Sequence, residues 1–389
     1  MDVRSVLVLG LGLGFGVTLV GCGDDASELN AGAGGSTTGG SAGSAGAGAG
    51  SGGLAGSGGV AGGAGCAGAP AHDDRFPRPS AQDIQFEAVS ELPHGERIVY
   101  NDWGTPNSVR SMAPDGSSPA ELFRALRVWS MSVEPSGARI AFSASDPAQE
   151  ANYGVTFTDS IQHTWQYDVA TQSVELIAHG NINDECHVYG LGGRYLYVCR
   201  RFDFGYSGDQ GSFRGWELGR LDPACDSYQR LSPDLERTFE LNPAPLATDS
   251  RLLFTRIVLP TPSTQTREIR RLDVASRQSE ALRADADNPV ISPDGSRYLY
   301  RSRAAPQGLF SASVSGDDAP IQISDQAVTS PIWSPSGDRV AYLVQDPTQC
   351  SHIEVRQADG SGAATRILDC VSGALAGQFV TKLSWLIRR

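Results

Sequence analysis

Four consecutive residues, Asp184, Glu185, Cys186 and His187, place two carboxylates, a thiol and an imidazole in one short stretch, the group types that bind metals or move protons. A metal site needs further ligands at defined spacing, and no second cluster stands where it would complete one. Asp159 and His163, upstream, are the other candidates for acid–base work or for holding a calcium ion. Neither has a partner at a set distance, and single histidines and aspartates in loops are mostly solvated or cap turns. Gly39, Ser41 and Gly43 match the Gly-x-Ser-x-Gly pattern of hydrolase nucleophiles. That serine works on a strand-to-helix turn, and neither element flanks it here. No catalytic residue and no metal ligand is assigned on these grounds.

A different chemistry is offered by Arg201 to Gly215, which mixes Phe202, Phe204, Tyr206 and Phe213 with Arg214 and two aspartates. Rings supply contact area and charged groups supply direction, a composition suited to a peptide or glycan ligand. The same aromatics would equally serve to cover the edge of a sheet. The formal net charge of -13 argues against polyphosphate partners and sets nucleic acid aside, because nucleic-acid binding needs clustered cations to displace counterions.

The elements that must position these groups begin late in the chain. Arg4 precedes an apolar, uncharged run that ends in Leu19-Val20-Gly21-Cys22. This resembles the secretory signal and lipobox of bacterial lipoproteins, which implies cleavage after residue 21 and a lipid on Cys22 as membrane anchor. Gly23 in second place, by the same resemblance, implies an outer-membrane lipoprotein facing the periplasm or the cell surface. Residues 22–70 then form a tether. From Ala31 to Gly68 it is almost wholly Gly, Ala, Ser and Thr, with nothing to offset the entropy of ordering, so disorder is expected. A coil of that length spans roughly 35 Å.

From residue 71 to 389 the texture changes to short β-rich runs divided by Pro, Asp and Gly. A unit recurs at Asn288 to Tyr300, Ser330 to Tyr342 and Trp129 to Phe142: an apolar strand, a Pro-x-Gly turn, then a second strand. Proline fixes the first turn position and glycine accepts the left-handed conformation that returns the chain. Weaker copies at Pro93-His94-Gly95, Gly192-Gly193 and Thr248-Asp249-Ser250 bring the count to six. A strand–turn–strand second half follows each, and four strands per unit is the spacing of propeller blades. The expectation is an all-β fold, a six-bladed β-propeller of four-stranded blades preceded by the disordered tether. Phe379 to Ile387 reads as an extra first strand that closes the ring.

Ile291-Ser-Pro-Asp-Gly and Trp333-Ser-Pro-Ser-Gly resemble the repeats of the TolB-like β-propeller family. The resemblance spans Phe86 to Arg389 and is degenerate in the third and fourth units. The α/β module that precedes the propeller in TolB has no counterpart, the tether standing in its place. The resemblance implies a partner of the peptidoglycan-associated envelope machinery; with the aromatic loop, the leading expectation is a non-enzymatic, monomeric envelope protein that binds a protein or glycan partner. The alternative is a propeller hydrolase or lyase with a metal or carboxylate site at the channel mouth, where calcium would act as cofactor. In either case the connections between second and third strands, Ser145 to Thr164, Arg201 to Gly215 and Leu259 to Thr266, would form a raised crescent beside the channel.

Cys22 apart, six cysteines remain, an even number that suits an oxidising compartment. Cys350 and Cys370 flank a hairpin turning at Asp359 to Gly362 and form the best pair. Cys66, Cys186, Cys199 and Cys225 leave their connectivity open.

Overall fold

The computed structural model describes residues 68–102, 107–145, 161–180, 182–202, 215–232, 238–246, 248–261, 264–345, 351–369 and 380–388. The expected lipid site at Cys22, the signal and nearly all of the tether lie outside this set, as do Asp159, Phe204, Tyr206, Phe213, Arg214 and the pair Cys350 and Cys370.

The described residues form antiparallel meanders of four strands, each strand pairing with its chain neighbour. Blade two holds Met131–Val133, Arg139–Ser145, Gln162–Asp168 and Ser173–Ala178 from inside to outside. Blade three holds Ile182–Tyr189, Leu196–Phe202, Gly215–Asp222 and Ser227–Arg230. Blade four holds Thr238–Pro245, Arg251–Thr261, Thr264–Asp273 and Ser279–Ala284. Blades five and six follow in the same way, starting from Ala286–Ile291 and Val328–Trp333.

Blade one is assembled from both ends of the chain. Its inner strand is Val380–Arg388, which pairs with Gly95–Asp102, so the closing strand expected near the C-terminus is present and completes the first blade. One reading needs correction here. Pro93-His94-Gly95 is no hairpin turn, because the strand before it, Glu87–Ala88, pairs on the blade's outer edge and not with Gly95–Asp102; the turn residues lead into the second strand, and the first comes from the far end of the chain. The innermost strands of the six blades touch one another in cyclic order, the sixth contacting the closing strand of the first. The ring is thereby closed. Among the described residues the hydrogen-bonded sheets number five instead of six, because Gly215 and Trp216 of blade three pair in parallel with Thr238 and Phe239 of blade four.

The turns that punctuate the sequence behave as their residues dictate. In Glu134 to Gly137, Ser292 to Gly295 and Ser334 to Gly337, the glycine N–H donates to the carbonyl three residues back, at 2.8–2.9 Å. Each of those glycines has φ near +75°, a conformation that any side chain would strain. Between blades the facing sheets bury large side chains. Phe123 of blade one lies 5.0 Å from Phe142 and 4.8 Å from Tyr167 of blade two, ring centre to ring centre. Tilted pairs of this kind add to the burial of the rings themselves.

The N-terminal strap bonds the rim. Ala69 and Pro70 pair with Tyr228 and Ser227 on the outer edge of blade three, and Glu87 and Ala88 pair with Arg124 and Phe123 on that of blade one. Between them His72 joins His179, the residue after blade two's outer strand, through their Nδ1 atoms at 2.8 Å. Two sheet edges that would otherwise stand open are thus covered.

Candidate functional site

The inner strands are kinked at one recurring place. Cys186, Asn242, Asn288 and Ser330 all take φ between +44° and +55°, and at each the register with the second strand slips by a residue. Such a bulge re-aims the side chains on either side of it. In blade three it lies between Glu185 and Val188, which sends the residues of the chemically dense stretch to different surroundings.

Asp184 points toward blade two and is held by Arg200, its cross-strand partner, through Nε and Nη2 at 2.6 Å each. Thr164 Oγ1 donates to Asp184 Oδ2 at 2.9 Å and lies 3.0 Å from His187 Nε2. Since the threonine's only proton goes to the carboxylate, the imidazole must donate from Nε2. Its Nδ1 then accepts from Ser130 Oγ at 3.1 Å, while Ser130 Oγ accepts the His187 backbone N–H at 2.8 Å. Burial drives His187 down to about 4, against the pull of Asp184, in keeping with the neutral tautomer these bonds require.

Beyond Arg200 the network continues outward. Its guanidinium lies 3.7 Å from the centre of the Tyr228 ring, Tyr228 donates to Glu217 Oε1 at 3.0 Å, and Arg230 closes on Glu217 Oε2 at 2.7 Å. Every charge in this row is met by an opposite charge, a ring or a hydroxyl. A chain so arranged ties blade two to blade three.

The predicted residues therefore separate. Asp184 and His187 meet through Thr164. His163 does not join them: it sits fully buried, 3.2 Å from the Gly180 carbonyl, its ring edge-on to His179, and burial lowers it to about 4. Glu185 leaves the strand on the opposite side from Asp184, where burial lifts its carboxyl to about 7, opposed by Asn183 and by the positive charges of Lys382 and Arg201. Among the described residues no group of three His, Cys, Asp or Glu side chains could hold a metal ion. Of the aromatic segment only the backbone of Phe202 is described, as the last residue of its strand, paired with Ile182. Cys199 is a buried free thiol, which removes it from the candidates for pairing in the third blade.

Sequence reasoning missed Ser130, Thr164, Arg200 and Asn183. It also missed that blades three and four share one device. Glu240 opposes Arg256 at the place where Asp184 opposes Arg200, while in blade five Asp287 opposes Arg301 one residue further along.

The fold is a closed β-propeller. Among solved structures the chain is similar to TolB from Acinetobacter baumannii, with TM-score 0.55 and 14% sequence identity over 77% of this chain and 68% of that one. It is also similar to putative TolB from Agrobacterium tumefaciens, with TM-score 0.51 and 16% identity over 75% of this chain and 94% of that one. Hydrazine synthase from Kuenenia stuttgartiensis gives TM-score 0.53 and 9% identity over 76% and 47%. No protein-family model matches the chain, and no curated protein matches it either. At these identities the likeness is one of fold.

Proposed function

We propose that this chain is an envelope lipoprotein, anchored through Cys22, whose propeller binds a protein or glycan partner and performs no chemistry of its own. The observation that carries the reading is the use to which the reactive side chains are put. Asp184, His187, Thr164 and Ser130 bond to one another across two blades, with Arg200 neutralising the carboxylate, so the groups best suited to catalysis serve as a joint.

The ligand-binding part of the proposal rests on topology. The second-to-third connections of blades two, three and four leave from strand ends on the same end of the meander, flanked by Ser145 and Gln162, Phe202 and Gly215, and Thr261 and Thr264. Three adjoining blades would present them side by side, with Phe202, Phe204, Tyr206, Phe213 and Arg214 in the middle one. Periplasmic or surface exposure and outer-membrane sorting belong to the same proposal.

The test is capture of solubilised envelope material by the purified chain, compared with a variant carrying Phe204→Ala and Tyr206→Ala. Capture by the native chain and its loss in the variant, at an unchanged melting temperature, is the expected result. Stoichiometric calcium accompanied by turnover of a glycan would replace the binding reading with the enzymatic one. Cys22→Ala is expected to move the protein from the membrane to the soluble fraction.

A further inference from the structure

The strap meets the rim of blade two through one pair of imidazoles, and their bonding fixes which nitrogen carries each proton. Arg78 Nη2 lies 3.0 Å from His72 Nε2. A guanidinium only donates, so that nitrogen accepts and the proton of His72 sits on Nδ1. His72 Nδ1 therefore donates to His179 Nδ1 across 2.8 Å, and the proton of His179 is left on its buried Nε2. Backbone bonds run alongside. The Asp73 N–H donates to the His179 carbonyl and the Ala71 N–H to the Asp226 carbonyl, each at 3.1 Å. Ala71 is buried there in one apolar cluster with Ile177, Ala178 and Tyr228.

Such a joint survives one proton but not two. A first proton, on His72 Nε2, would turn that atom from Arg78 toward Asp226 Oδ1, 3.5 Å away, and leave the bond between the rings intact. A second, on His179 Nδ1, would set two N–H groups head to head at 2.8 Å. The charges around the pair are mixed. Burial keeps both rings below the ordinary 6.5, and Arg78 works in the same direction on each. Asp226 and Asp74 oppose this at His72, where the charge of His179 adds to it; the Phe76 backbone, Asp74 and Asp73 oppose it at His179. His163, on the third strand of blade two, stands edge-on to His179 with ring centres 6.1 Å apart. An imidazole held lower when docked than when free stabilises docking above its free value, and that contribution is lost as pH falls below it.

We propose that His72 and His179 form a proton-operated latch: while neutral they hold the strap on blades two and three, and when both are protonated they repel and let it go. Release would bare the outer edge of blade three, Ser227–Arg230, which Ala69 and Pro70 otherwise cover. It would also open the apolar seam that Ala71 fills. The device concerns the strap alone and does not rest on the binding reading above.

The experiment is hydrogen–deuterium exchange of the purified full chain from about pH 7.5 to about pH 5, with rates corrected for the intrinsic effect of pH on exchange. Protection of the Ala71 and Asp73 amides is expected to fall roughly tenfold or more over that range, while the inner strands keep theirs. The double variant His72→Asn with His179→Asn puts an amide donor and an amide acceptor where the two Nδ1 atoms meet, and neither titrates. It should keep the strap protected throughout. If it fails to fold, nitrogen spectra of isotope-labelled histidine in the native chain decide instead. They should place the hydrogen on Nδ1 of His72 and on Nε2 of His179 at neutral pH, with both rings charged once the strap is released. Strap protection that persists in the native chain down to about pH 5 would overturn the proposal. So would an equal loss of protection in the folded double variant, or the opposite tautomers in the native chain.

Discussion

Asp184 and Arg200 face each other across the first two strands of blade three, joined by two hydrogen bonds of 2.6 Å, with side chains 0% and 3% exposed. A buried pair of this kind repays its desolvation only while both members are present. Asp184→Leu strands a guanidinium in the interior, and Arg200→Met strands a carboxylate. Each single change is expected to cost about 3–5 kcal/mol, read from the urea midpoint, whereas the double change should cost less than either. Additive losses would show that the two residues act separately.

Asp287 gathers three arginines. Arg301 bonds to it through Nε and Nη2, Arg303 through Nε and Arg267 through Nη1, all between 2.7 and 3.0 Å. Burial alone would raise its carboxyl, but Arg301 and Arg303 hold it at about 2 against an ordinary 3.8. A carboxyl depressed on folding stabilises the native state above its unfolded value and loses that contribution as pH falls through the folded one. The window is pH 3.8 down to about 2, and the amount about 2 kcal/mol. Asp287→Asn should lower stability at neutral pH and flatten the acid limb of the stability curve in that window. An acid limb identical to that of the native chain would rule the pairing out as its source.

The closing strand gives the third prediction. Leu383 and Leu386 are buried, and Val380–Arg388 supplies the whole inner edge of blade one. A chain ending at residue 379 would expose the strand Gly95–Asp102 and leave the ring open. It is expected to be insoluble or to associate through that edge, and addition of a peptide with the sequence of 380–388 should restore a monodisperse species. Cooperative unfolding of the truncated monomer at the native temperature would contradict the closure.

The propeller was legible because its punctuation is local. Pro135-Ser136-Gly137 and Pro335-Ser336-Gly337 specify a turn from their own backbone preferences, whatever lies around them. The first blade was misread at Pro93-His94-Gly95, where the same residue types lead into a strand whose partner comes from the other end of the chain. The site was less legible still. An uninterrupted hairpin from Val188 and Tyr197 would set Asp184 opposite Arg201; the bulge at Cys186 shifts the register and makes Arg200 the partner. A cysteine or serine in the left-handed region carries no sequence mark of the kind glycine gives, and contacts such as Thr164 with His187 depend on how two blades pack.

Lys382 donates its backbone N–H to the side chain of Asn101 at 2.8 Å, a bond between residues 281 positions apart. The blade that is synthesised first is consequently the one finished last. Throughout elongation the nascent polypeptide carries an incomplete starting sheet, which waits for the nine residues Val380–Arg388. Closure between strands so far apart in sequence is slow, so completion of the ring waits on the strand 380–388.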